Sequence, residues 1–231
     1  MRVTAETKNA TRARILEVAQ KQFAQRGFEA TTTRDIARAA QIATGTLFNY
    51  FPTKESIVDC FVRDAYVRAA ETYAGEWQRR FPAKFEADGD VAAVVDSDSL
   101  EEELFAHIAV ILRKLKPYRK YLPAVLESSL SPLAIADDAD GPSLRVTHLE
   151  TVGQIASQHG LQDALSTVAI QLYWTLYTGI LAFWSNDRSP RQEDTLALVD
   201  QSLAMFVGWL TEPSRSNQVD NQQEESPRKR G

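Results

Sequence analysis

The sequence predicts an all-α protein: an N-terminal three-helix unit with a helix-turn-helix, then a larger helical body, about nine helices in total. Three observations carry this. Apolar residues recur at three- and four-residue steps along nearly the whole chain. Runs of strict alternation, the mark of a half-buried strand, are absent. Gly27, Pro52, Pro82 and Gly160 stand where the periodic stretches stop.

The first helix is expected over Lys8–Arg26, with Ile15, Leu16, Ala19 and Phe23 on one face and Gly27 as its stop. A short second helix starts at Thr33, read as its N-cap, and carries Ile36, Ala37 and Ala40. A turn at Gln41 and Ile42 leads to a third over Thr44–Tyr50, which Pro52 ends. The fourth, Lys54–Arg80, places Phe61, Ala65, Ala69, Tyr73 and Trp77 four apart, with Asp59–Arg63, Asp64–Arg68 and Glu76–Arg80 as solvent-side pairs.

Residues 86–99 read as an acidic loop, Leu100–Lys116 as a fifth helix, and Pro117 and Pro123 frame a short sixth element. After a loop over 131–142, helices follow at Pro142–His159, Leu161–Trp184 and Gln192–Leu210. The last two are apolar on more than one face, so each needs a second partner; a homodimer interface fits. Val168–Trp184 is short for a membrane span and lacks basic flanks, so no membrane association is expected. The division that follows is a helix-turn-helix domain over 1–53, a larger helical domain over 54–211 with the candidate dimer seam, and a polar, disordered tail over 212–231.

The chain has 231 residues, 44% of them hydrophobic and 25% charged, enough for a sizeable core. Its single cysteine, Cys60, excludes an internal disulfide, and with no apolar leader a cytoplasmic location is the simplest fit. Net charge is −5, but it is unevenly placed. Residues 1–52 hold eight Lys/Arg against four Asp/Glu, a surplus of +4; the remainder holds 18 against 27, which is −9. A basic head on an acidic body suits DNA binding through the head, because Lys and Arg displace counterions from phosphates.

The segment Thr33–Lys54 reads TRDIARAAQIATGTLFNYFPTK. Small Ala37 and Ala40 let two short helices meet closely, Ile42 fills the gap, and Leu47 anchors the second of them. Outward stand Thr44, Gly45, Thr46, Asn49 and Tyr50, small or hydrogen-bonding. A helix laid in the major groove needs such a surface, because bulk would hold it away from base edges.

At Ile15-Leu16, Ala19, Phe23, Gly27-Phe28, Thr32-Thr33, Ile36-Ala37, Ala40, Gly45-Thr46-Leu47-Phe48, Tyr50-Phe51 and Lys54-Glu55 the chain resembles the TetR family of regulators. The resemblance implies a homodimer that represses a promoter at a near-palindromic operator in double-stranded DNA and releases it when a small-molecule effector enters the C-terminal domain. It implies phosphate contacts at Thr33, Tyr50 and Lys54, and base contacts at Arg34, Thr44, Gly45, Thr46, Phe48 and Asn49. Three positions depart from the family pattern: Gln41 replaces a turn glycine, Ala43 a capping serine, and Phe48 a common tyrosine.

An effector pocket is expected among Tyr73, Phe105, His107, Tyr173 and Tyr177, the alternative being plain core. His107 is read as a partly buried residue with one hydrogen bond, and Arg113, Lys114, Lys116, Arg119 and Lys120 as a solvated helix C-terminus. His107, His148 and His159 lack metal-ligand spacing, and no catalytic signature is recognisable, so neither metal, cofactor nor enzymatic activity is expected.

Overall fold

A computed structural model describes residues 4–80, 97–126 and 144–212. Among these it shows nine α-helices and no strand. They are α1 (Ala5–Arg26), α2 (Thr33–Ala39), α3 (Thr44–Phe48), α4 (Lys54–Arg80), α5 (Ser97–Leu115), α6 (Leu122–Leu126), α7 (Leu144–Gln158), α8 (Thr167–Asn186) and α9 (Glu193–Thr211). The expected tail falls outside the described residues beyond Glu212, and so do most of the two loops expected over 86–99 and 131–142.

The helix ends follow local chemistry. Gly27, at φ 85°, closes α1 in the region that glycine enters most easily. The cap of α2 is Thr32, one residue before the expected Thr33. Its hydroxyl accepts from the Asp35 N–H at 3.1 Å, and the Asp35 carboxylate accepts from the Thr32 N–H at 3.2 Å, a reciprocal box that places Thr33 inside the first turn. α5 starts three residues earlier than expected, at Ser97. α8 starts six residues later, because a 3-10 turn over Gln162–Ala164 intervenes and Ser166 supplies the cap. At the start of α9, the Asp187 carboxylate accepts from the Thr195 N–H at 3.1 Å and the Ser189 hydroxyl from the Asp194 N–H at 3.1 Å, so the preceding loop satisfies the free amides.

One buried core runs from head to body without a break. In the head it holds Ile15, Ala19, Phe23, Ile36, Ala37, Ala40, Leu47 and Phe51; the first turns of α4 continue it with Ile57, Val58, Phe61 and Val62. Of the expected stripe on α4, Phe61, Ala65, Ala69 and Tyr73 are buried. Nothing is described of the Trp77 side chain. The solvent-side pairs Asp59–Arg63 and Asp64–Arg68 form, at 3.1 and 2.6 Å. Glu76 reaches across to Arg113 of α5 at 3.0 Å. In the body, α4 packs along α5, α5 against α9, and α9 against α8.

The 3-10 segment Lys116–Tyr121, which follows α5, joins three parts of the molecule. Tyr118 stacks on Phe61 at 5.5 Å between centroids, and Tyr121 meets Phe23 and Phe28 of the head at 5.7 and 5.8 Å. Arg119 does not face solvent as expected of that basic run. Its guanidinium donates to the carbonyls of Trp184, at 2.7 Å, and Asp187, and lies over the Trp184 ring, so it caps the C-terminus of α8 from outside. No described helix is long and apolar enough to cross a membrane.

Candidate nucleic-acid interface and buried polar cluster

The helix-turn-helix is α2, a tight turn, and α3. Gln41 sits in that turn at φ 56°, a left-handed conformation that glycine adopts without the clash a Cβ brings. The Ile42 N–H donates to the Ala37 carbonyl at 3.0 Å and closes the turn. Ala43 occupies the cap of α3 with no side-chain capping bond, as the missing serine predicts.

Leu47 pins α3 to the core and is fully buried. With about 100° between successive helical residues, Gly45 and Asn49 lie opposite Leu47, and Thr46 and Phe48 on its two shoulders. Gly45, Phe48 and Asn49 are exposed, and Thr44, Thr46 and Tyr50 half-buried. Phe48 leaves 46% of its surface in solvent, unusual for a phenylalanine. Among the described residues, apart from its chain neighbours and its own helix backbone, no heavy atom lies within 4 Å of where a Cβ on Gly45 would stand. Arg34 and Arg38 of α2 are exposed beside this face, and Thr33 is half-buried in the first turn of α2.

Lys54, expected to hold a phosphate, is engaged inside the chain. Its ammonium donates to the Phe28 carbonyl at 2.9 Å and stands 4.0 Å from the centre of the Phe28 ring. It ties the start of α4 to the end of α1, with Glu29 at 3.9 Å as a third partner. Cys60 is likewise partnered across helices: the Arg12 guanidinium of α1 donates to its sulfur at 3.0 Å.

In the body, four of the five expected pocket residues come together. Tyr73, His107, Tyr173 and Tyr177 are buried in one ring cluster. Phe105 is the exception. It lies two residues before His107, on another face of α5, half-buried, and among the described ring contacts it touches none of them. Trp174 joins the cluster, and so do four residues that local spacing does not point to: Tyr66, Glu103, His148 and His159. His148 stacks on Tyr177 with centroids 4.0 Å apart and meets the Tyr173 hydroxyl at 3.2 Å. The Tyr66 and Tyr177 hydroxyls are hydrogen-bonded to each other. Tyr73 donates to Glu103 Oε1 at 2.7 Å, and His159 Nε2 meets Glu103 Oε2 at 2.8 Å.

His107 was expected to hold one hydrogen bond. Instead both its ring nitrogens are buried without a partner among the described residues, as are His148 Nδ1 and Trp174 Nε1. Buried polar atoms are nearly always paired, so four unpaired ones together mark this cluster as unusual. Desolvation lowers the His107 pKa to about 4 and holds His148 well below its ordinary value, with nearby His107 adding to the second effect. It raises the phenols of Tyr66, Tyr73, Tyr173 and Tyr177. Beside Tyr73 and Glu103 lies a cavity of about 270 Å³, walled by α4, α5 and α7 and including Thr151, Gln154 and Ile155.

Residues 15–59 match the family model of bacterial regulatory proteins, tetR family, and residues 104–222 the model of the tetracyclin repressor-like C-terminal domain. The chain is 48% identical over 56 residues to the HTH-type transcriptional repressor KstR2 of Rhodococcus jostii (strain RHA1), a stretch covering 24% of this chain and 28% of that protein. The chain is 29% identical over 103 residues to the HTH-type transcriptional regulator UidR of Escherichia coli (strain K12), covering 44% of this chain and 48% of that one. This chain therefore aligns with less than half the length of either relative. The crystal structure of Thermus thermophilus FadR, a TetR-family repressor in complex with lauroyl-CoA, superposes with a TM-score of 0.56 at 21% identity. It covers 85% of this chain and 93% of that one, a likeness of fold.

Proposed function

Because this chain belongs to the TetR family of bacterial regulatory proteins, we propose that it is a sequence-specific DNA-binding repressor that acts as a homodimer and leaves its operator when a small molecule occupies the helical body. The observation that carries the reading is the outer face of α3. A glycine inside a helix lowers stability by roughly 0.5–1 kcal/mol relative to alanine. No packing among the described residues calls for Gly45, since the space beyond it is open to them. A surface that must come close to another molecule does call for it. The exposed Arg34 and Arg38 beside it supply the positive charge that a phosphate backbone attracts. On this reading Arg34, Thr44, Gly45, Thr46, Phe48 and Asn49 meet bases. Thr33 and Tyr50 meet phosphates, and Lys54 keeps the head seated on α4 while adding to its field.

Homodimerisation is supported by what α8 and α9 leave uncovered. Val168, Phe183, Leu196 and Met205 are exposed apolar side chains on them. Exposed Gly179, Ala182, Ala204 and Gly208 run along the same helices, and small residues let a second pair of helices approach closely. Effector binding within the body is supported by the cavity beside Tyr73 and by the unpaired nitrogens of His107. α4 and the Lys116–Tyr121 segment both touch head and body, so both are candidate routes of coupling, typically about 1–3 kcal/mol.

Selection from random duplex DNA, followed by fluorescence anisotropy on the selected duplex, tests the proposal. Gly45→Leu fills open space, so its melting temperature should stay at or above that of the wild type while operator affinity falls at least about tenfold. Unchanged affinity on a properly folded variant would overturn the assignment of α3 to the groove.

A further inference from the structure

We propose that the operator half-site beneath α3 is built of A·T pairs, with Phe48 reading a thymine through its C5-methyl group and Asn49 reading an adenine. The inference rests on the proposal that α3 enters the major groove, and it deepens that proposal by naming what the helix reads.

Its basis is which side chains α3 presents and which it lacks. The outward set is Thr44, Gly45, Thr46, Phe48 and Asn49; it contains no Arg, Lys, Asp or Glu. Guanine is read chiefly by a bidentate Arg or Lys at O6 and N7, and cytosine by a carboxylate at its amino group. Neither tool is on this helix. What α3 does offer matches the other pair. Asn49 is exposed, and among the described residues its amide has no hydrogen bond, so both its donor and its acceptor are available to adenine N7 and N6. Phe48 holds 46% of its surface in water in the free protein, and its ring carries nothing that can hydrogen-bond. Its only useful groove partner is another apolar group, and the thymine methyl is the one that the major groove displays. Because Gly45 leaves open space between the Phe48 and Thr46 shoulders, the helix can settle deeply enough for that ring to touch the methyl. Arg34 of α2, exposed and with no partner among the described residues, is a group able to read guanine, as is exposed Arg38 on the same helix. G·C preference is therefore expected only at the flank facing α2.

The test compares the selected duplex with copies in which single thymines are replaced by deoxyuridine, which removes one methyl and nothing else. Wild-type affinity should fall about fourfold at one thymine per half-site, the effect of uncovering one buried carbon. Phe48→Ala should bind the thymine duplex more weakly and lose its sensitivity to that replacement, while Phe48→Tyr, which keeps the ring, should retain it. Adenine replacement at the neighbouring position should be tolerated better by Asn49→Ala than by the wild type. Half-sites that are G·C beneath α3, or a deoxyuridine effect unchanged in Phe48→Ala, would overturn the inference while leaving DNA binding intact. Selection of no duplex at all would overturn it together with the reading it rests on.

Discussion

His107 of α5 and His148 of α7 stack in the middle of the body, their ring centres 5.1 Å apart and their planes 23° from parallel. Both are buried, and Tyr66 and Tyr73 of α4 and Tyr173 and Tyr177 of α8 surround them with neutral phenols. The one carboxylate buried nearby among the described residues, Glu103, is already taken by Tyr73 and His159. The pair is thus held uncharged, and two like charges at that spacing would repel.

Acid should therefore destabilise the protein well above the usual carboxylate range. An unfolded chain protonates His107 near pH 6.5, whereas in the folded state the pKa is lowered to about 4. The unfolded state binds the proton first, so stability is full above about pH 6.5 and is lost as pH falls from there toward 4. His107→Phe should flatten this limb. It should also stabilise the protein at pH 7 by roughly 1–3 kcal/mol, since two unpaired buried nitrogens disappear. Urea unfolding at pH 7.5, 6 and 5 reads both effects; an unaltered pH slope in the variant would contradict the assignment.

The Tyr73–Glu103–His159 chain links α4, α5 and the turn that follows α7 through one buried carboxylate. Glu103→Leu should destabilise by about 3–5 kcal/mol, because the tyrosine hydroxyl and the imidazole both lose their partner in a buried site. The double variant Glu103→Leu/His159→Leu should recover a good part of that loss. A double variant as unstable as the sum of the two single ones would show that the residues do not act as a pair.

The turn of the helix-turn-helix gives a prediction of opposite sign. Gln41 holds φ 56°, and a Cβ there costs roughly 1–2 kcal/mol. Gln41→Gly removes that strain but adds freedom to the unfolded chain, worth about 0.4–1 kcal/mol. The net result should be a small gain in melting temperature with operator affinity unchanged. A clear drop in melting temperature would show that the Gln41 side chain contributes something that its exposed position does not reveal.

Much of this was legible in the sequence because it depends on residues close together in the chain. The stop at Gly27 and the outward face of α3 follow from local spacing, while the cap lost at Ala43 and the left-handed Gln41 follow from the family resemblance, which implies a serine and a glycine there. The misplaced cap of α2 was a choice between adjacent threonines, settled by where the Asp35 carboxylate can reach back, to Thr32. What periodicity could not show were contacts across long sequence separations. Glu103 and His159 look like ordinary surface residues until α5 and α7 meet. Arg119 looks solvated until the end of α8 arrives beside it. Phe105 and His107 were grouped by proximity in sequence, but two residues along a helix is more than half a turn, so only one of them faces the cluster.

The proposed dimer can be tested at the most exposed large apolar side chain of the described residues. Met205 of α9 is 72% exposed in the single chain, and exposed Ala204 and Gly208 flank it on a helix whose other side is buried against α5 and α8. A methionine left in water at that level contributes nothing to the fold of one chain, so changing it should leave the monomer's stability nearly intact. Met205→Glu, however, would bring two carboxylates toward the two-fold axis of a symmetric interface, where they repel each other and lose their water. Sedimentation velocity should show a dimer for the wild type and a monomer for Met205→Glu at micromolar concentration. Operator affinity should fall steeply in the variant, because one head then reads one half-site where a dimer spans two, about 34–36 Å apart. Binding to a duplex with a single half-site should hardly change. If Met205→Glu stays dimeric and binds the full operator as the wild type does, the two chains meet through a different face.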